Sequence, residues 1–479
     1  MKQLSFALGF LALAFCLACG SGSSNRIFIP KGNFSNASLS GQYVYQISGF
    51  DFRNNGNGLP YREAGVFVAD GNGNITGGAD DFSEGSAGVS SSSLSGVYAI
   101  NNDGTGQIIL NGLTLDITLV SSSKLYLIED DTFLNAGGTA EKQDTSAITA
   151  PPSGTFAFRM HVENASVPSA SVGALTITAG SVTGKEDVLA LGGTLGSQAL
   201  SGAFNAPVSF GRGTATLNDG STSLQFFYYV VGPGKFLLLS KDADVIGTAQ
   251  AEAQSGAPFA TGSLSGSYAF GSKGDTAASL GGVNSAGRFS AGNGAITAGV
   301  LDSVKDGATS NISFNAGTYT VDSGTGRVDV TLNASRSIHE VSYLVSSSRA
   351  FFLIDDSSKV EDGTLDLQPS SSFSNASLNG QFAFVMDGFD ATTLKDRVGT
   401  LQADGNSGLT LNEVVNAGGA ISVPGPLSGT YSVSTNGRTT ASISGLSSNL
   451  ILYLISSNDA YIVQSDSGTE ISGTISKQQ

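Results

Sequence analysis

Along most of the chain, apolar and polar residues alternate with a period of two, in short runs punctuated every 8 to 15 residues by Gly, Asn, Asp and Ser. A period of two puts successive side chains on opposite faces of a β-strand, and the punctuating residues are those that tolerate tight turns. In the first copy of the repeat described below, the pattern predicts eight strands, near 42–48, 65–70, 74–82, 95–101, 105–110, 114–120, 124–130 and 138–143. Asp70-Gly71-Asn72-Gly73 reads as a hairpin turn, because Gly and Asn accept positive φ at little cost. Helical periodicity is not evident in the repeat.

The pattern recurs four times. Ser-Leu-Ser-Gly-Gln-Tyr at 38–43 returns as Ser-Gly-Thr-Phe at 153–156, Ser-Leu-Ser-Gly-Ser-Tyr at 263–268 and Ser-Leu-Asn-Gly-Gln-Phe at 377–382. The glycines Gly41, Gly154, Gly266 and Gly380 are spaced by 113, 112 and 114 residues. Leu-Ser-Gly-Val-Tyr at 94–98 has a counterpart in each later copy. Near the end of each unit, Asp131, Asp242, Asp356 and Asp466 precede Gln143, Gln254, Gln368 and Gln478 by 12 residues without exception. Such constancy implies a strand-turn-strand whose register cannot slip without turning its apolar face outward. The units span 34–143, 151–254, 259–368 and 373–479.

Eight antiparallel strands in about 110 residues suit an up-and-down β-barrel, which leaves no open edge for a neighbouring copy to pair with. The alternative is an immunoglobulin-like β-sandwich. Tyr43 and Tyr45, Phe156 and Phe158, Tyr268 and Phe270, and Phe382 and Phe384 lie two and four residues after the landmark glycines, so one aromatic face points into each core. In the seventh strands, such as Leu125-Tyr126-Leu127-Ile128, both faces are apolar. A barrel wall needs one, so the outward residues are expected to pack on a neighbouring barrel, a partner or a covering loop.

Composition narrows the class. Gly contributes 64 of 479 residues, hydrophobic residues 40% and charged residues 13%, which describes a globular, turn-rich chain rather than a disordered one. The net charge of -16 repels phosphate backbones, so nucleic acid is not an expected partner. At the N-terminus, Lys2 precedes an apolar run from Leu4 to Ala18 that fits a signal h-region. Cys16-Leu17-Ala18-Cys19 resembles the lipobox of bacterial lipoproteins, with Cys16 where Leu is commonest. The resemblance implies cleavage after residue 18, lipid on Cys19 and a tether at 19–33. With Gly20 rather than Asp in the next position, it also implies the outer membrane or cell surface. The remainder is similar to uncharacterised tandem-repeat surface lipoproteins of soil bacteria, through Asp-Gly-Asn-Gly-Asn-Ile-Thr-Gly-Gly at 70–78 and Gly-Arg-Gly-Thr at 211–214. Each unit resembles avidin-like and lipocalin-like barrels in shape alone.

Candidate chemistry is sparse. The two histidines, His161 and His339, match unlike residues in the other copies, Ser48, Lys273 and Asp387 for the first and Thr114, Gln225 and Asn449 for the second. His161 reads as a solvent-facing polar position, and His339 as a tolerant polar slot near the start of the sixth strand. Without a Gly-x-Ser-x-Gly elbow or a recurring histidine partner, no nucleophile is expected. Asp70-x-Asn72-x-Asn74 begins like a calcium loop, but Ile75 and Asp81 stand where Gly and Glu are needed, so a plain turn is the better reading and no metal or other cofactor is expected. Asp131, Asp242, Asp356 and Asp466 read as turn-fixing acids, bonded to turn amides or to Arg212, Arg327 and Arg438. The expected function is a non-enzymatic, membrane-anchored array of four β domains that binds or spaces an envelope or extracellular polymer or protein. The alternative is a carrier with a small ligand in each barrel.

Overall fold

The computed structural model describes residues 32–53, 58–85, 87–164, 167–277, 282–333, 337–391, 393–444 and 448–479. The signal segment, Cys19 and nearly all of the expected tether lie outside them. The four units are closed antiparallel eight-stranded barrels in tandem, not sandwiches.

The first barrel runs through Ser40–Asp51, Leu59–Asp70, Asn74–Glu84, a fourth position split into Val89–Ser93 and Gly96–Ile100, then Thr105–Leu110, Leu113–Ser121, Lys124–Glu129 and Leu134–Lys142. Its first strand pairs with both its second and its last, which closes the wall. The second barrel spans Gly154–Asn164 to Val245–Ala253, the third Gly266–Thr276 to Lys359–Gln368, and the fourth Asn379–Asp390 to Thr469–Lys477. The landmark glycines enter the first strands at φ of 109°, 125°, 135° and 120°, a region that disfavours any side chain. In the first, third and fourth barrels, the tyrosine of the second landmark reaches the turn before the first strand. Tyr98 Oη donates to the Leu39 carbonyl at 2.7 Å, and Tyr431 Oη to that of Leu378 at 2.8 Å.

The aromatic faces lie inside as the alternation required. Tyr43 stacks on Phe67 at 5.4 Å, and Tyr43, Tyr45 and Phe67 are fully buried with Leu125 and Leu127 in the first core. Equivalent side chains fill the other three.

The barrels close into a ring. The first two strands of each barrel pack on the sixth to eighth strands of the next, and those of the fourth barrel pack on Leu113–Ser121, Lys124–Glu129 and Leu134–Lys142 of the first. This covers the outward faces of the seventh strands: Leu237 and Leu239 meet Val44 and Val66, Phe351 and Leu353 meet Val172, Tyr461 and Val463 meet Ala286, and Tyr126 and Ile128 meet Val385 and Val398. A buried aliphatic side chain contributes about 1.5–3 kcal/mol, whereas the attraction within a buried ion pair such as Arg212–Asp81 is largely offset by the cost of desolvating both charges. Apolar burial therefore dominates the cohesion of the ring.

The recurrent glutamines act between barrels. Gln143 Nε2 donates to the Val230 carbonyl of the second barrel at 2.6 Å, Gln254 to Leu344 of the third at 2.6 Å, Gln368 to Leu454 of the fourth at 2.6 Å, and Gln478 to Leu119 of the first at 2.7 Å. The constant spacing from the aspartates thus serves an inter-barrel latch as well as strand register.

A candidate binding chamber at the centre of the ring

In each first strand, the face opposite the aromatic pair looks toward the middle of the ring. Gln46, Ser48 and Phe50 of the first barrel face inward with Arg159, His161 and Glu163 of the second, Gly271, Lys273 and Asp275 of the third, and Val385, Asp387 and Phe389 of the fourth. Together with residues of the second, seventh and last strands they line a partly open chamber of about 670 Å³. The four matched positions, Ser48, His161, Lys273 and Asp387, therefore meet around one space, which corrects the reading of His161 as a solvent-facing slot.

His161 is held between two carboxylates of the third barrel. Nδ1 lies 2.8 Å from Asp362 Oδ1, and Nε2 lies 2.7 Å from Asp275 Oδ2. Burial opposes its charge, but Asp275 and Asp362 prevail and lift the imidazole to about 10. Arg62 Nη2 reaches Glu163 Oε1 at 2.6 Å, and Arg349 spans Glu252 and Asp366, both at 2.8 Å. Lys273 pairs with Asp387, and Lys235 with Glu141. Between the fourth and first barrels the links are neutral or weakly charged: Tyr126 Oη lies 2.8 Å from Ser476 Oγ, and Asn135 Nδ2 donates to Asp396 Oδ2 at 3.2 Å. Burial, together with the Asp387 charge, raises Asp396 well above the usual carboxylate range.

His161, Glu163 and Asp275 bring ligand atoms within 4.8 Å of one another, a set able to surround a cation. As arranged, both imidazole nitrogens are engaged by carboxylates and Glu163 is bound by Arg62. A metal would have to displace a proton and an arginine.

The other sequence candidates lie elsewhere. Asp131 accepts the Phe133 amide at 2.7 Å, Asp242 that of Gln225 at 2.7 Å, Asp356 that of Ser358 at 3.0 Å, and Asp466 that of Asn449 at 3.0 Å. The arginines offered as their partners bind other acids, in the preceding barrel. Arg212 Nε donates to Asp81 at 2.6 Å, Arg327 to Asp187 at 2.7 Å and Arg438 to Asp302 at 2.6 Å. Tyr229, Tyr343 and Tyr453 complete these clasps on the same acids. The matching positions between the fourth and first barrels hold Val414, Thr105 and Thr118, which lack the clasp. His339 bridges Asp355 at 2.8 Å and Asp329 at 3.1 Å within the third barrel. Asp70 accepts the Asn74 side-chain amide through Oδ2 at 2.7 Å and the Asn74 and Asn72 backbone amides through Oδ1 at 3.0 and 2.7 Å, and these bonds lower it to about 2, as in a self-contained turn.

Nothing matches the chain among family models or curated proteins. Among solved structures it is similar to kievitone hydratase from Nectria haematococca, at 9% identity over 70% of this chain and 94% of that one, with a TM-score of 0.17. CghA with Sch210972 gives 8% identity over 69% and 89%, also with a TM-score of 0.17. The siderophore receptor PirA from Pseudomonas aeruginosa gives 10% identity over 91% and 80%, with a TM-score of 0.10. A hydratase among these structures corrects the expectation of a non-enzymatic chain, although likenesses this slight assign neither a reaction nor residues.

Proposed function

We propose that the chain is an envelope lipoprotein, anchored through Cys19, whose ring of barrels holds one small polar ligand in its central chamber. One observation carries the reading: four matched positions of a repeat hold Ser48, His161, Lys273 and Asp387, and all four face one chamber. A volume near 670 Å³ falls within the usual range for small-molecule sites. Paired cations and carboxylates share the wall with apolar side chains such as Phe50, Val385 and Phe389, a lining suited to a sugar, with its polar edge and apolar face, or to a zwitterion. The barrel interiors are filled by side chains, which moves the carrier idea from four cavities to one. The array idea is narrowed to the outward faces of the third to fifth strands, since the first two and last three strands of every barrel are engaged with neighbours.

Native mass spectrometry of the full chain purified from its host, beside an Arg159→Ala/Lys273→Ala variant, tests the ligand. One polar molecule per chain, lost from the variant, is the expected result. Four per chain, or an empty protein that also fails to bind in a screen of sugars and amino acids, overturns it. For the anchor, Cys19→Ala is expected to release soluble protein, and unchanged membrane partition would refute it.

A further inference from the structure

Between the third and fourth barrels lies a second cleft, of about 370 Å³, lined by Arg288, Asn311 and Ser313 on one side and Asn436 and Arg438 on the other. Arg288 stands on the second strand of the third barrel, Gly282–Gly292. Its Nη2 donates to two neutral hydroxyls, Ser267 Oγ at 2.7 Å and Ser290 Oγ at 2.8 Å, while its buried Nε has no partner. Among the described residues, every other arginine is paired with a carboxylate, and Arg288 is the exception. Burial without a counter-charge pushes its guanidinium below the usual arginine range.

The repeat supplies a control. The positions matching Arg288 hold Val66, Ala174 and Thr400, and Val66 and Ala174 pack into the apolar contacts between barrels. An arginine is thus foreign to this slot, and folding does not require one. A half-buried cation without a counter-ion is costly, and the neighbouring groups do not relieve it. Arg438 is already neutralised by Asp302, and Asn436 Oδ1 is occupied by the Arg438 amide at 3.0 Å. Donors predominate among the lining groups left without a bond: Arg288 Nη1, Arg438 Nη1 and Asn436 Nδ2, with the Ser313 hydroxyl able to donate or accept, against one acceptor, the Oδ1 of Asn311, whose Nδ2 is held by Asp302 at 2.8 Å. Arg288 and Arg438 against Asp302 leave one positive charge, in a chain whose net charge is -16.

We propose that this cleft is an anion site, which takes an oxyanion group, a carboxylate or a sulfate, carried on a molecule of about monosaccharide size. The site is independent of the central chamber. Glucuronate, sulfate and, as a neutral control, glucose are titrated calorimetrically into the full chain, into Arg288→Met and into Lys273→Ala. Saturable binding of glucuronate, weakened about tenfold or more in Arg288→Met, unchanged in Lys273→Ala and falling with ionic strength, is expected. Sulfate binding equally well would assign recognition to the charge alone, whereas glucuronate alone would assign it to a sugar acid. No saturable binding of either anion, glucose binding that Arg288→Met weakens as much as it weakens glucuronate, or full anion binding by Arg288→Met would overturn the proposal. The matched Val66 and Ala174 indicate that Arg288→Met folds, and its thermal midpoint is to be measured alongside.

Discussion

Gln478, which follows the last strand of the fourth barrel, donates through Nε2 to the Leu119 carbonyl of the first barrel at 2.7 Å, and to the Asp103 carbonyl at 2.8 Å. This is the latch that Gln143, Gln254 and Gln368 make at the other three junctions, used here where no linker joins the two barrels. Gln478→Ala removes this donor from the Leu119 carbonyl, while that of Asp103 keeps a bond from Gln381 Nε2 at 3.3 Å, and is expected to cost about 1–3 kcal/mol. Calorimetric unfolding checks this, and limited proteolysis should show the fourth barrel becoming more accessible.

The clasp arginines give a larger effect. Asp81 is fully buried, and Arg212 is its counter-ion. Arg212→Met strands that carboxylate and is expected to cost about 3 kcal/mol or more. The double variant Arg212→Met/Asp81→Leu should regain most of the loss, as read from urea midpoints. A double variant no better than the single one would show that the clasp acts by shape rather than charge.

Ring packing also changes what an isolated unit is expected to do. Residues 373–479 form a closed barrel with its own core, so β-type circular dichroism is expected. Without neighbours it exposes Val385, Val398, Tyr453, Tyr461 and Val463, all buried in the whole chain. Light scattering after size exclusion should therefore find the fragment self-associated, and a clean monomer would contradict the apolar interfaces.

Stability should fall with rising pH. Burial lifts Glu63, Glu186 and Glu340 to about 7 and Asp116 to about 6, so between their unfolded values and these the folded chain binds more protons than the unfolded one. His161 extends the same sign upward: its contribution is complete below about 6.5 and is lost as pH rises toward 10. The thermal midpoint is expected to be at least about 3 °C higher at pH 5 than at pH 9. His161→Gln should flatten the alkaline part of the profile.

Much of this molecule was legible in its residues. Alternation gave the strands, since an eight-stranded wall buries one face throughout. The ends fared worse: Leu59–Asp70 and Leu134–Lys142 begin several residues before their apolar runs, because Arg62, Glu63 and Asn135 there are buried through partners rather than by hydrophobicity. The apolar outward faces at Tyr126 and Leu237 signal packing, and the glutamines keep a fixed spacing, but neither names a partner barrel. The chamber is not legible because matching the copies shows which residues correspond, not that the four first strands converge on one space. Unlike residues at one repeat position look like tolerance until closure brings Ser48, His161, Lys273 and Asp387 together.

That closure has a consequence for what kind of site is available. A ring of four identical subunits must repeat every residue that faces its axis, so one lysine becomes four ammonium groups in mutual repulsion and one histidine becomes four. Joining the copies in a single chain lifts that constraint, and each quadrant varies independently. A fourfold frame can then present a cation, an acid, a hydroxyl and an imidazole to a molecule that has no symmetry of its own.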